Sequence, residues 1–284
     1  MGRPPQPADL SKQKFLESSN IYETWGRVRG SIPRSATNYG LPEKVAYFKP
    51  NESLTRIYSY ILRFDDGAAP NPFWGTCTLT ICKPMIRRTA RIGDWVIGTG
   101  SKNSKLKNGK KYDLSDSLVY AMRITDKLTL SEYDKFCSEK MTEKNPSWFS
   151  KDWRKRMGDC IYDYSKSDEP TLRKGVHNQS NIKRDLSGKN ALLSTEFYYF
   201  GEEPRVIPQN LKRMIKKNQG HLRIEDSNLL SNFENWITQF EKNKIYAEPQ
   251  LGFEFKVKPS EEQIGKCSKR HNETDDDEIE EAIC

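Results

Sequence analysis

Apolar positions come in short β-type runs over the first two thirds of the chain and take up helical spacing only toward its end. Residues 55–63 (Thr-Arg-Ile-Tyr-Ser-Tyr-Ile-Leu-Arg) are rich in β-branched and aromatic side chains. They stop at Asp65-Asp66-Gly67 and Pro70-Asn71-Pro72, which predicts a strand followed by a stiff turn. Thr76 to Cys82, Ile92 to Gly98 and Leu118 to Ile124 predict three further strands, with Gly93-Asp94 turning the chain into the third. Thr129 or Ser131 caps a predicted helix through Cys137. A short strand at Cys160 to Tyr164 precedes a long polar loop, Ser165 to Lys189, and Ala191 to Phe200 is again strand-like. Pro208 opens a short basic helix to about Lys217. Ser227 caps a helix whose Leu229, Leu230, Phe233, Trp236, Ile237 and Phe240 form one apolar stripe.

Strands, a helix, more strands and then helices give an α+β order rather than regular βαβ alternation. Short strands with glycine turns predict a small, strongly bent or barrel-like sheet with flanking helices. The expected organisation is an arm at 1–53 with a short helix around Lys12 to Leu16, an α+β domain at 54–225 and a helical extension at 226–245. A C-terminal segment, 246–284, then ends in a disordered acidic tail.

Composition narrows the class. Only 35% of residues are apolar and 30% are charged, with a mean hydropathy of −0.85, yet 13 Tyr, 12 Phe and 6 Trp are too many for a disordered chain. No run approaches a membrane span and the N-terminal residues hold no apolar signal segment, so a cytoplasmic protein is expected. Charge is the stronger clue. Residues 261–284 hold nine acids and three bases, a net of −6, so the total of +8 leaves +14 on residues 1–260. Lys83 to Lys111 carries nine bases against Asp94, and Arg205 to Arg223 carries six bases and no acid. Concentrated positive charge attracts polyanions, so nucleic acid is the expected partner; neither run has the apolar face that membrane binding needs.

Six cysteines form no CxxC pair, and His177 and His221 lie far from them, so neither a metal site nor a disulfide framework is predicted and each thiol reads as core or surface. Gly98-Thr99-Gly100-Ser101-Lys102 has the makings of an anion-cradling turn but matches neither the Walker A nor the dinucleotide pattern, and no cofactor is predicted. Two functional classes remain. A reader of nucleic acid would use Lys83, Arg87, Arg88 and Arg91 on phosphates, joined by Lys102 and Arg223, with Asn71 and Trp74 in the exposed turn and Trp74 or Trp95 stacking on a flipped base. Gly158 to Tyr162, His177 and Asp185, followed by Gly220 to Arg223, collect most of the acid and base candidates. An enzyme on modified bases, such as a glycosylase or a transferase, would use Asp65 or Asp159 with His177 or His221 as acid and base. A protein-interaction partner of such an enzyme is the third alternative.

The run IYSYILRFDDGAAPNPFWGTCTLTICKPMIRRTARIGDWVIGTGS resembles the opening of the nucleotide-modification-associated domain family, second type. Gly158-Asp159 with Ile161-Tyr162, His177, the LLSTEFYYFG segment and Ile207-Pro208 continue the likeness in order, over about Arg56 to Arg223. Cys160 stands where the family pattern carries Asn. The resemblance implies an α+β domain linked to DNA base modification, in a modification or phage-defence setting, with DNA as partner. The IGDWVIG strand also looks like a strand of PUA and EVE type barrels, some of which read modified bases.

Overall fold

A computed structural model of the protein describes residues 55–257 and 260–274, with side chains through 270. The predicted arm, with its helix near Lys12 to Leu16, lies outside the described residues. The strands that matter here are β1 (Ile57–Ile61), β2 (Cys77–Leu79), β3 (Trp95–Thr99), β4 (Ser117–Arg123), β5 (Asp126–Thr129), β6 (Asn190–Ser194), β7 (Glu196–Tyr199), β8 (Arg205–Val206), β9 (His221–Ile224) and β10 (Lys244–Ile245). The helices are α1 (Pro84–Thr89), α2 (Leu130–Lys140), α3 (Ile182–Ser187), α4 (Ser227–Ile237) and α5 (Glu261–Thr274).

The main sheet runs β9-β1-β3-β4-β7-β10, with β8 also on β4, and is mixed: β1–β3 and β7–β10 are parallel and the other pairs antiparallel. A second, antiparallel sheet runs β2-β6-β5. The α+β class holds, but among the described residues neither sheet closes into a barrel. One reason lies in the run 191–200. Ser194 and Glu196 hydrogen-bond each other across Thr195, whose amide turns to Thr125, so the predicted single strand breaks into β6 in one sheet and β7 in the other.

Period-two alternation sorts the core. Ile57, Trp95, Ile97, Ala121 and Tyr198 face α4, while Tyr58, Tyr60, Val96, Tyr120, Met122 and Tyr199 face the larger core cluster on the other side. Gly98 is needed there, because a Cβ would come 2.4 Å from the Tyr120 ring. The Gly93-Asp94 turn is tied down by charge: Asp94 accepts from the amides of Arg56 and Arg91 at 2.9 and 2.8 Å and from the Arg56 guanidinium at 2.9 Å.

Thr129 caps α2 with a full capping box through Glu132. Asp226, rather than Ser227, caps α4, accepting from the amides of Asn228 and Leu229. Phe233 of α4 meets the Trp95 ring edge-on at 5.2 Å between centroids, and Trp95 Nε1 donates to Glu234 at 3.0 Å. With β10 in the main sheet and the Leu251 amide donating to the Asp65 carbonyl at 2.8 Å, residues 226–257 build the same body as those before them. The first part of the acidic tail is helical: α5 buries Ile264 and Cys267, and its Arg270 forms a bidentate pair with Glu254. Its charge masked that one-turn apolar pair in the sequence. No helix among the described residues is long and apolar enough to cross a membrane.

Candidate functional site

The chain leaves β2 through Thr80 and Ile81 and turns at Cys82 and Lys83 into α1, which Pro84 opens. Both turn residues are left-handed, with φ of 58° and 43°. For side chains with a Cβ that costs about 1–2 kcal/mol each. What holds the turn is a set of buried polar groups. Asp185, from α3 in the polar loop, accepts the Cys82 amide at 2.9 Å. Arg87 is fully buried and donates to the carbonyls of Cys82, Asn190 and Asp185 at 2.7, 2.9 and 2.6 Å. Its guanidinium lies over Gly188, where a Cβ would come 2.4 Å from it.

The same carboxylate organises an imidazole. Asp185 Oδ2 lies 2.5 Å from His177 Nδ1 and accepts from the Tyr162 hydroxyl at 2.7 Å. On the far side of the ring, His177 Nε2 is 3.7 Å from Cys82 Sγ. Burial alone would raise the Asp185 pKa, but His177, Arg87 and the Cys82 amide outweigh it and hold the carboxyl down at about 2. Burial, followed by Asp185, pushes the Tyr162 phenol up, so it stays a donor.

Cys82 and Lys83 line a cavity of about 20 Å³ with Tyr60, Arg63 and Phe64, room for about one water. Arg63, Phe64 and Ile61 also line a much larger open groove of about 1420 Å³. Its walls carry eight bases (Arg63, Lys102, Lys105, Lys111, Lys212, Arg213, Lys216 and Lys217) and one acid, Asp116. Asp116 pairs with Lys212 at 2.7 Å. Two parts of the sequence build this groove: the turn after β3 with the hairpin that follows it, and the basic stretch around 212–217, which forms a 3-10 turn at Gln209–Met214 rather than a longer helix.

A model of the nucleotide modification associated domain 2 family matches residues 54–259. The chain belongs to that family. No curated protein and no solved structure matches it. The nucleotide modification associated domain therefore takes in the Cys82 turn, the polar loop, the groove and α4, and stops short of α5.

Within the domain the sequence-predicted residues separate. His177 joins the Cys82 cluster, Lys83 lines the cavity with its ammonium 5.0 Å from the Tyr60 ring centroid, and Lys102 lies in the groove. Arg87 is turned inward onto carbonyls, which fixes the Cys82 turn and takes its guanidinium away from any phosphate. Trp95 is 1% exposed, between the sheet and α4, so its ring has no face for a flipped base. Trp74 is half-buried, with the Arg154 guanidinium 4.7 Å from its ring centroid. Half-buried Arg88 and exposed Arg91 lie outside the groove lining, as does Arg223, which pairs with Glu225.

The remaining candidates, for acid–base chemistry and, at Asn71, for nucleic-acid contact, are spread through the fold. Asp159 is buried with Thr78 and Tyr133, at 2.6 and 2.8 Å, and burial raises its pKa. Asn71 accepts from buried Lys144 at 2.8 Å and donates to the Met157 carbonyl, locking the Pro70-Asn71-Pro72 turn. Asp65 accepts from Tyr199 at 2.5 Å and from the Gln250 amide, and burial raises it to about 7. That value suits proton transfer, yet Asp65 lines neither the cavity nor the groove. His221 sits on edge strand β9 with its ring 5.9 Å from that of Tyr58, also off both linings.

Cys82 is the site residue that the sequence reading missed, whereas Asp185 stood among the acid and base candidates in series with Asp159, Tyr162 and His177. The signal for Cys82 was present: a cysteine closing a strand directly before Lys-Pro.

Proposed function

We propose that this domain binds nucleic acid through phosphates held in the basic groove, and that it recognises or processes modified bases in DNA. The observation that carries the reading is the charge of the groove, whose lining holds eight bases and one acid. Such a surface gives the sequence-independent, salt-sensitive part of nucleic-acid affinity. Phe64 supports the reading. It is half-buried on the shared wall of groove and cavity, with the Arg63 guanidinium 5.7 Å and the Arg270 guanidinium 5.5 Å from its ring centroid. It takes over the stacking role that the sequence pointed to in Trp74 or Trp95. Fluorescence anisotropy with labelled duplex and single-stranded DNA, with and without modified cytosines, tests the proposal. Binding to ordinary DNA that weakens steeply between 50 and 200 mM salt is expected, on the order of 10³-fold for about six neutralised phosphates, with tighter binding to a modified strand. Absence of binding to every strand at low salt would remove DNA as the ligand.

A further inference from the structure

We infer that Cys82, His177 and Asp185 form a nucleophilic thiol site that acts on the heterocyclic base of a nucleotide or nucleic acid. The choice of substrate rests on the groove reading above; the thiol site itself does not.

Three features bring the cluster together for chemistry. First, its order is that of an activated nucleophile: carboxylate, imidazole, thiol. Asp185 Oδ2 lies against Nδ1 and orients the ring so that its other nitrogen, Nε2, faces Sγ, 3.7 Å away. Second, the thiol stands on a left-handed residue followed by another, a geometry that a packing thiol does not need. Cys77 shows the contrast: it lies on regular strand β2 with its sulfur 4.0 Å from Met122 Sδ, and burial pushes it up to about 12, as for an inert core thiol. Third, Cys82 lines a cavity whose Arg63–Phe64 wall also lines the groove, so a ligand held there by its phosphates has its base one side chain away from the sulfur.

The step these groups support is addition. The thiol proton passes to Nε2, and Sγ bonds to an unsaturated ring carbon of the base. The π pair of that bond moves to the adjacent ring atom, which takes the proton back from Nε2. Atoms and charge balance without an oxidant or leaving group, and reversal restores thiol and base. The cavity holds about one water, so Arg63 and Phe64 must swing toward the groove to admit a ring.

The test is alkylation of the full-length protein with iodoacetamide across pH 5–9, with each cysteine followed by peptide mass spectrometry. Cys82 should react at least about tenfold faster than Cys77 at pH 6.5, with a midpoint about one unit or more below the ~8.5 of an ordinary thiol. His177→Gln, checked as folded by circular dichroism, should return the midpoint to ~8.5 or above. A wild-type midpoint at or above ~8.5, or no labelling of Cys82 in the folded protein, overturns the thiol site and needs no variant to do so. A pyrimidine oligonucleotide should slow Cys82 labelling several-fold. If it binds without slowing the reaction, the substrate assignment falls; if it does not bind, the groove reading falls, and the pH profile still decides the thiol.

Discussion

Two buried polar clusters lie in the core and solve the same problem differently. Around Lys144 everything is satisfied. Its ammonium, fully buried, shares its three N–H donors among four acceptors, the Asn71 carbonyl and side chain, the Thr76 carbonyl and Thr78, all at 2.8–2.9 Å, while Asp159 takes Thr78 and Tyr133. Burial lowers the Lys144 pKa and raises that of Asp159, and neither residue lines the cavity or the groove. Around Asp185 the network is as dense, but it spends its hydrogen bonds holding a left-handed turn and an imidazole against a thiol beside a cavity. The first cluster fastens loops to the sheet; the second holds a strained geometry. A perturbed carboxylate in the core therefore says little by itself. Whether it holds something unstable next to open space says more.

That contrast predicts different responses to substitution. Lys144→Ala removes the donor to four acceptors and the partner charge of Asp159. It should cost about 3–5 kcal/mol or prevent folding, read as a lower urea midpoint. If the loss is under about 1 kcal/mol, the cluster is not the fastening described.

Acid titration separates the carboxylates. The folded pKa of Asp65, raised to about 7 from 3.8, means that the folded state holds the proton longer. Stability should fall as pH rises from about 4 to 7, by up to about 4 kcal/mol, and level off above. Asp65→Asn should flatten that limb. Asp185 has the opposite sign: depressed to about 2, its contribution of about 2 kcal/mol is present above pH 4 and is lost as pH falls toward 2. Urea unfolding at intervals from pH 2 to 8, on the wild type and Asp65→Asn, reads both limbs.

The smallest effect concerns the turn. At an ordinary buried strand position Gly is less stable than Ala, but at Cys82 the left-handed backbone reverses the order. Cys82→Gly should be more stable than Cys82→Ala by up to about 1 kcal/mol in thermal unfolding. If Ala is the more stable, the turn is not strained and the comparison loses its main support.

The sequence made the α+β class, the strands of five or more residues, the α2 cap and the α4 stripe legible, because each rests on local periodicity and capping chemistry. It did not disclose the corner at Thr195, since an unbroken β-rich run carries no mark of which sheet each half joins. Nor did it sort the arginines: Arg87 and Arg88 are neighbours in sequence, yet α1 sends one into the core and leaves the other half-exposed. The site was half legible. His177 stood out as a rare residue in a long loop, but its partners come from the end of β2 and from α3, far apart in the chain, and only the fold brings them within reach.

The claim that phosphates bind in the groove is tested most directly by the salt dependence of duplex DNA binding, compared between two double variants. Lys102→Ala with Lys217→Ala takes one base from each of the two chain stretches that line the groove, whereas Arg88→Ala with Arg91→Ala takes two from outside the lining. In a plot of log affinity against log salt, the first pair should reduce the slope by about 0.9 for each phosphate that is no longer neutralised, while the second leaves it at the wild-type value. A wild-type slope for the groove pair, with a reduced slope for Arg88 and Arg91, would contradict the account and move the phosphates to the face that carries α1.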